Sequence, residues 1–243
     1  MYIIKLDAID STNSYLKAMS AVNLPKDFTV VVANHQTQGR GQMGTIWRTE
    51  DGKNLTASVF KAFEFVDVEK QFYISMAVAL SICKALESLK ISQLSIKWPN
   101  DILSANKKIC GILIENVIKQ NKLKGSIIGF GLNINQKNFD DLPKATSISL
   151  LTGFIHNKDE VLSGILTQLQ YYFKLLEAKD YMEIKKQYEA LLFRKDKPST
   201  FKYEDGSTFS GIIKDITETG KLNVWTEDDI IKTFDLKQVT LLY

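Results

Sequence analysis

The chain has only two cysteines, Cys83 and Cys110. Both fall in apolar surroundings and lack metal-ligand spacing. A disulfide scaffold and a cysteine metal centre are excluded, and buried free thiols in a reducing compartment are expected. No apolar run approaches the length needed to cross a bilayer. The opening stretch Met1-Tyr-Ile-Ile-Lys-Leu lacks the layout of a signal peptide. An excess of one charge is missing too: 31 basic and 28 acidic residues leave a net charge of +3. That balance gives no electrostatic footprint for DNA or RNA. There is no internal repeat, no low-complexity tract and no Gly/Ser linker. A cytoplasmic protein without a membrane segment is therefore expected. What is present is a chain of 243 residues, 44% of them hydrophobic. It can bury a sizeable core as one large domain, or as one domain with a small appendage.

Residues 2–6 read as a strand. Asp10-Ser11-Thr12-Asn13 then offers N-cap residues ahead of a helix bearing Tyr15, Leu16 and Met19, so capping is the simplest role for Ser11 and Thr12. The β-branched run Phe28–Ala33 reads as a buried strand, and Asn54–Phe60 as another. The apolar spacing of Ile74, Val78, Ile82, Ala85, Leu86 and Leu89 predicts a helix over 68–90. A strand spans 124–133, where alternating Gly129 and Gly131 suggest that a ligand or backbone comes close on one face. Thr146–Leu150 is a short apolar segment, and helices are expected over 158–178 and 180–193. Beyond Arg194 short alternating strands are punctuated by Asp205-Gly206, Thr219-Gly220 and Asp228-Asp229. This is the pattern of a small β-barrel or meander. The expected division is 1–193 and 194–243.

Two stretches carry chemistry. Gly39-Arg40-Gly41-Gln42-Met43-Gly44 is a literal G-x-G-x-x-G after a strand. No helix follows, so a dinucleotide fold is excluded. No Gly-Lys-Ser/Thr follows either, which excludes a P-loop, and the chain lacks the Asp-Phe-Gly and His-Arg-Asp of kinases. A loop of backbone N–H groups around Arg40, suited to closing on an anion, and a mobile surface loop both fit. The second stretch, Lys97–Glu115, reads as a hairpin turning at Ser104-Ala105-Asn106. Pro99 cannot donate to a ladder, so the first strand should break there. The break would free Asn100 and Asp101 to point into a cleft beside Lys97 and Lys108. Those four residues can bind an anion and a metal ion together; they also fit a surface hairpin with solvated charges.

Ser11-Thr12-Asn13, Gln36-Thr-Gln-Gly-Arg-Gly-Gln42, Lys97-Trp-Pro-Asn-Asp101, Lys108-Ile-Cys-Gly111 and Gly129-Phe-Gly-Leu-Asn133 occur together in this order. In this the chain resembles the biotin protein ligases over nearly its whole length. The resemblance implies an α+β fold: a mixed sheet flanked by helices, like that of class II aminoacyl-tRNA synthetases, with a small SH3-like C-terminal β-barrel. It also implies a reaction. Biotin attacks the α-phosphate of ATP to give biotinyl-5′-AMP, and a lysine of a biotin carboxyl carrier protein domain then takes the biotin. Some relatives carry an N-terminal DNA-binding domain. Ser11 lies too near the start of this chain to leave room for one, so the short type is expected, with no DNA partner; a homodimer is compatible with the family.

By position, the resemblance gives Ser11, Thr12, Asn13, Gln36, Gly39, Arg40, Gly41, Gln42, Lys108 and Gly111 to biotin. It gives Trp47, Lys97, Asn100 and Asn133 to ATP. Lys108, Arg40 and Asp101 are its catalytic residues. Asp101 would bind Mg2+ or orient the acceptor lysine. Carboxylate attack on a triphosphate brings anions together, and preorganised cations offset that repulsion. No nucleophilic side chain is required, so His35 and His156 are bystanders. Many relatives have arginine where this chain has Gln42, and a basic residue where it has Met43. A lipoate or octanoyl ligase or transferase of the related fold is the first alternative, opposed by Lys97-Trp-Pro-Asn-Asp101. A non-catalytic biotin-binding module is the second, opposed by Lys108, Asp101 and Arg40.

Overall fold

A computed structural model describes residues 1–63, 66–140 and 142–243, without the Met43 side chain. Strand β1 (Tyr2–Ile9) leads through helix α1 (Thr12–Val22) to β2 (Thr29–Gln36). The two strands pair in parallel. Strand β3 (Leu55–Ala62) runs antiparallel to β2. A short 3₁₀ turn at Val68–Lys70 then precedes helix α2 (Phe72–Ser88), so the helix expected over 68–90 is shorter at both ends. Next come β4 (Leu94–Lys97), β5 (Asp101–Ser104), β6 (Lys107–Lys119) and β7 (Lys122–Leu132), and after them α3 (Ile148–Thr152), α4 (Lys158–Glu177) and α5 (Tyr181–Ala190). The strands form one seven-stranded mixed sheet in the order β1-β2-β3-β7-β6-β5-β4.

The pleat sorts alternate residues to opposite faces. Val30, Val59 and Ile128 join the large core beneath α2 and α4, whereas Val31, Phe60 and Ile127 pack with Leu16 beneath α1. Each fully buried aliphatic or aromatic side chain contributes about 1.5–3 kcal/mol. Helix α1 covers only part of its face. Beside it the sheet carries Gly111, Gly129 and Gly131, and the missing side chains leave a trough.

The last five strands are β8 (Pro198–Tyr203), β9 (Thr208–Ile216), β10 (Leu222–Thr226), β11 (Ile231–Phe234) and β12 (Val239–Leu242). They form an antiparallel sheet in the order β11-β10-β9-β8-β12. Pro198 sits at the first position of its strand, where its missing N–H is tolerated. Phe201 and Phe209 stack inside this sheet with ring centroids 5.2 Å apart. Trp98 Nε1–H donates to the Gly220 carbonyl at 2.9 Å, and Ile216 N–H donates to Glu189 at 3.1 Å. The first bond holds the second sheet against the turn after β4, and the second holds it against α5.

Candidate active site

The strand break expected at Pro99 is present, but the chain beyond it folds straight back. Strands β4 and β5 pair with each other across Trp98-Pro99-Asn100, with Lys97 opposite Asp101. Asn100 holds this turn against β6: its Nδ2 donates to the Ile112 carbonyl at 2.8 Å, and its own carbonyl accepts from Ile112 N–H at 3.0 Å. The single hairpin expected over 97–115 is therefore a three-strand meander, whose second turn has Ala105 and Asn106 both at positive φ.

The register lines up one row across the sheet: Lys97, Asp101, Gly111, Gly131 and Thr56 are successive direct partners. Direct partners share a face, so two charged residues stand at one end of a glycine floor. Lys108 joins them through a β-bulge. It lies three residues before Gly111, a spacing that puts it on the opposite face of a regular strand. The register shifts between Ile102 and Leu103, where Cys110 and Lys108 are the successive partners and Ile109 is the extra residue. The shift turns Lys108 to the glycine side. Its Nζ lies 2.7 Å from Asp101 Oδ1. A Cβ on Gly111 would come within 3.3 Å of that Nζ, so the glycine leaves room for the lysine to cross.

Further positive charge gathers here. Lys108 N–H donates to the Lys144 carbonyl at 2.7 Å, which brings Lys144 alongside. The Lys144 and Lys97 ammoniums lie 4.3 and 5.2 Å from the centre of the Tyr243 ring. Burial pulls the Lys97 pKa below its ordinary value; Asp101 opposes the shift, and Lys108 and Lys144 reinforce it.

At the other end the wall is polar. Thr12 N–H and Oγ1–H both donate to Gln36 Oε1, at 2.8 and 3.1 Å. Ser58 Oγ lies 2.7 Å from Thr12 Oγ1 and 2.6 Å from Asn13 Oδ1, so its one proton serves two acceptors. Asn13 Nδ2 donates to Glu115 Oε2 at 2.9 Å. Capping, the simplest role for Ser11, does not use its hydroxyl. Ser11 occupies the N-cap position of α1 with no side-chain cap bond, and it lines the cavity instead.

The Gly39–Trp47 loop closes on itself. Gly41 N–H donates to Thr45 O at 2.7 Å and Trp47 N–H to Gly39 O at 2.9 Å. These N–H groups are spent inside a small hairpin and do not form an open anion cradle. The loop lays the Trp47 indole on the glycine floor: a Cβ on Gly131 would lie 2.2 Å from its Cε2. Lys108 Nζ stands 5.5 Å from the same ring. Trp47 Nε1 is buried without a partner among the described residues. The close approach expected at Gly129 and Gly131 is thus made by the side chains of Asn13 and Trp47. The Met43 side chain lies outside the described residues.

These parts enclose a cavity of about 500 Å³. Ser11, Thr12, Asn13, Gln36, Arg40, Gly41, Gln42, Trp47, Lys97, Asn100, Asp101, Lys108 and Gly111 line it. Two of the expected residues do not. Gly39 lies beneath the loop against the Trp47 carbonyl. Asn133 is buried, and its Nδ2 donates to the Thr146 carbonyl at 3.0 Å. Both histidines are also absent from the wall: His35 pairs with Asp51, and His156 Nε2 lies 2.8 Å from Thr152 Oγ1. No cluster of three or more His, Cys, Asp or Glu that could hold a metal ion is found among the described residues. Sequence reasoning missed Ser58, Lys144, Glu115 and Tyr243. For Glu115 a signal existed, since it shares strand parity with Gly111. Among the described residues no helix is long and apolar enough to cross a membrane.

The model of the biotin/lipoate A/B protein ligase family matches residues 6–133. The bifunctional ligase/repressor BirA of Bacillus spizizenii is 29% identical over 238 residues, covering 96% of this chain and 72% of its own length. The biotin–[acetyl-CoA-carboxylase] ligase of Mycobacterium tuberculosis is 31% identical over 163 residues, covering 66% of this chain and 59% of its own. Among solved structures, the biotin protein ligase from Aquifex aeolicus in complex with biotin and ATP superposes with a TM-score of 0.82. The identity is 26%, over 99% of this chain and 98% of that one.

Proposed function

The chain belongs to the biotin/lipoate A/B protein ligase family, and on that premise we propose that it is a biotin protein ligase with two half-reactions in one cavity. In the first, an oxygen of the biotin carboxylate bonds to the α-phosphorus of ATP. The bond to the β-phosphate oxygen breaks, and pyrophosphate leaves. In the second, the amine of a carrier-domain lysine bonds to the activated carbonyl, AMP departs with the bonding electrons, and the amine loses a proton. The reading includes no DNA partner and leaves a homodimer to measurement.

The observation that carries this reading is the row Lys97–Asp101–Gly111–Gly131 with Lys108 aimed onto it. It supplies cations where two anions must meet and a side-chain-free floor on which they can lie. Lys108 stands between the carboxylate and the α-phosphate. Lys97 and Lys144 face the departing phosphates. As charge moves onto the leaving group their attraction strengthens, and that difference is what accelerates a reaction. Trp47 packs against the ligand, and Arg40 lies at the cavity mouth. Residues 1–193 supply the charged and polar groups of this chemistry, and residues 194–243, the appended C-terminal domain, add apolar lining such as Phe201 and Leu241. Among the described residues Asp101 is the one cavity-wall carboxylate, and its Oδ1 already pairs with Lys108. On this reading magnesium enters with the nucleotide substrate, as it does where one or two carboxylates and the substrate phosphates share the ion.

The polar end favours biotin over lipoate. Ser11, Thr12 and Gln36 present donors and acceptors that match a ureido ring. A dithiolane ring offers neither and would leave the Ser11 hydroxyl and the Gln36 Nε2–H groups without the partners a ureido ring supplies, at about 1–3 kcal/mol each. The test is incubation with biotin, ATP, magnesium and a biotin carboxyl carrier domain, read by intact mass. The expected result is one added biotin, and none of the corresponding product with lipoate. An unchanged carrier mass, with folded enzyme and a competent acceptor, refutes the reading. Pyrophosphate release without carrier separates a ligase from a binding module.

A further inference from the structure

Glu115 is the side chain through which the cavity mouth is tied to the polar wall. It stands on β6, four residues beyond Gly111. Its Oε1 accepts from Lys17 Nζ at 3.0 Å, and its Oε2 accepts from Asn13 Nδ2 at 2.9 Å and from Arg40 Nη2. Burial works against its charge, but the bonds from Lys17 and Asn13 and the charges of Arg40 and Lys17 prevail and hold the carboxyl below its usual range. The loop bearing Arg40 spends backbone N–H groups on its own carbonyls. Its seat on the sheet therefore depends on few side-chain contacts, chiefly Trp47 on the glycine floor and Arg40 on Glu115. Arg40 lines the cavity while paired to Glu115. The carboxylate thus holds the guanidinium at the cavity mouth.

We propose that Glu115 is a positioning residue: it seats Arg40 over the ligand and couples the loop to Asn13 in the head-group wall. Glu115 is not itself on the cavity wall and acts through these two partners. The catalytic half of the proposal rests on the ligase reading above; the structural half does not.

The experiment compares Glu115→Gln and Lys17→Met with wild type. Glu115→Gln keeps the shape and the amide bond but exchanges a charged acceptor for a neutral one. The expected change is a rise in KM for biotin of about fivefold to tenfold, with kcat for pyrophosphate release within about twofold. In the ligand-free protein, trypsin should cut after Arg40 several-fold faster while other sites and Tm stay put. Lys17→Met, which leaves Arg40 and Asn13 on the carboxylate, should match wild type in each measurement. Unchanged KM together with unchanged cleavage after Arg40 overturns the proposal. So does a lower Tm with uniformly faster cleavage, since Glu115 is then a general stabiliser. If wild type forms no adenylate, the ligase reading fails, and the cleavage comparison still decides whether Glu115 seats the loop.

Discussion

Lys108 Nζ meets Asp101 Oδ1 at 2.7 Å, although the direct strand partner of Asp101 is Gly111 and not Lys108. The pair exists because Ile109 is the extra residue of a bulge and Gly111 has no side chain to block the crossing. Asp101 shields the ammonium in the ligand-free protein. Under the proposed function, an incoming carboxylate and phosphate would compete with Asp101 for this ammonium.

Lys108→Met should abolish most adenylate formation while leaving the fold in place. A charge-assisted contact made at a transition state is worth roughly 2–4 kcal/mol, or about two to three decades in rate. Ile109 and Cys110, which anchor this strand in the core, are untouched. Pyrophosphate release within a fewfold of wild type removes Lys108 from the neutralising role.

Gln42→Arg should slow the escape of the adenylate. Gln42 lines the cavity on the same loop as Arg40. A charged donor to phosphate contributes about 1.5–3 kcal/mol and a neutral amide about 0.5–1.5. The difference, on the order of 1 kcal/mol, corresponds to roughly fivefold in release rate. Dissociation is followed after free biotin and ATP are removed. Equal or faster release from the variant places the closing interaction elsewhere.

Gly131→Ala should dislodge Trp47, because the new Cβ would lie 2.2 Å from its ring. Overpacking of this kind costs about 1–3 kcal/mol, so adenylate should bind about five- to hundredfold more weakly. Titration of the variant checks it, and wild-type affinity would mean that the indole has another seat.

Thr12→Val removes a hydroxyl that donates to Gln36 and lies within reach of Ser58. A buried polar group left unpaired costs about 1–3 kcal/mol. Biotin affinity should drop by about one to two decades, and Tm should drop by about 2–4 °C per kcal/mol. Calorimetry reads both. Unchanged biotin affinity would remove Thr12 from the head-group wall.

The nucleotide KM should rise on the alkaline side earlier than an ordinary lysine would cause. Burial holds the Lys97 pKa down, so rising pH removes its positive charge sooner. Lys97→Arg keeps the charge and should flatten that limb when KM for ATP is followed from about pH 7 to about pH 10. Identical limbs in the two proteins assign the titration to another group.

Local chemistry made the break at Pro99 legible, because a residue without an N–H interrupts a ladder wherever it falls. It also made the Gly129/Gly131 alternation readable as a close approach. It did not say what approaches, because Trp47 arrives from a loop more than eighty residues upstream. Nor did it reveal the bulge. Lys108 reaches Asp101 only through a phase change at Ile109, and nothing in Lys-Ile-Cys-Gly marks that change. Glu115 stayed hidden for a similar reason. Its partners Asn13 and Arg40 lie 102 and 75 residues away along the chain, and a strand carboxylate reads as solvated until they are brought together.

Trp47 has one more consequence. The other two indole N–H groups are committed, Trp98 to Gly220 O and Trp225 to Asp229 Oδ1, whereas that of Trp47 is free among the described residues. Its ring lies on the cavity floor beside a lysine ammonium, a known perturbant of indole emission. Filling the cavity will change the polarity around Trp47, and Trp98 lines the same cavity, so the Trp47→Phe comparison isolates the Trp47 share. The chain therefore carries its own optical reporter: intrinsic fluorescence, with Trp47→Phe as the blank, can time each ligand's arrival without a label.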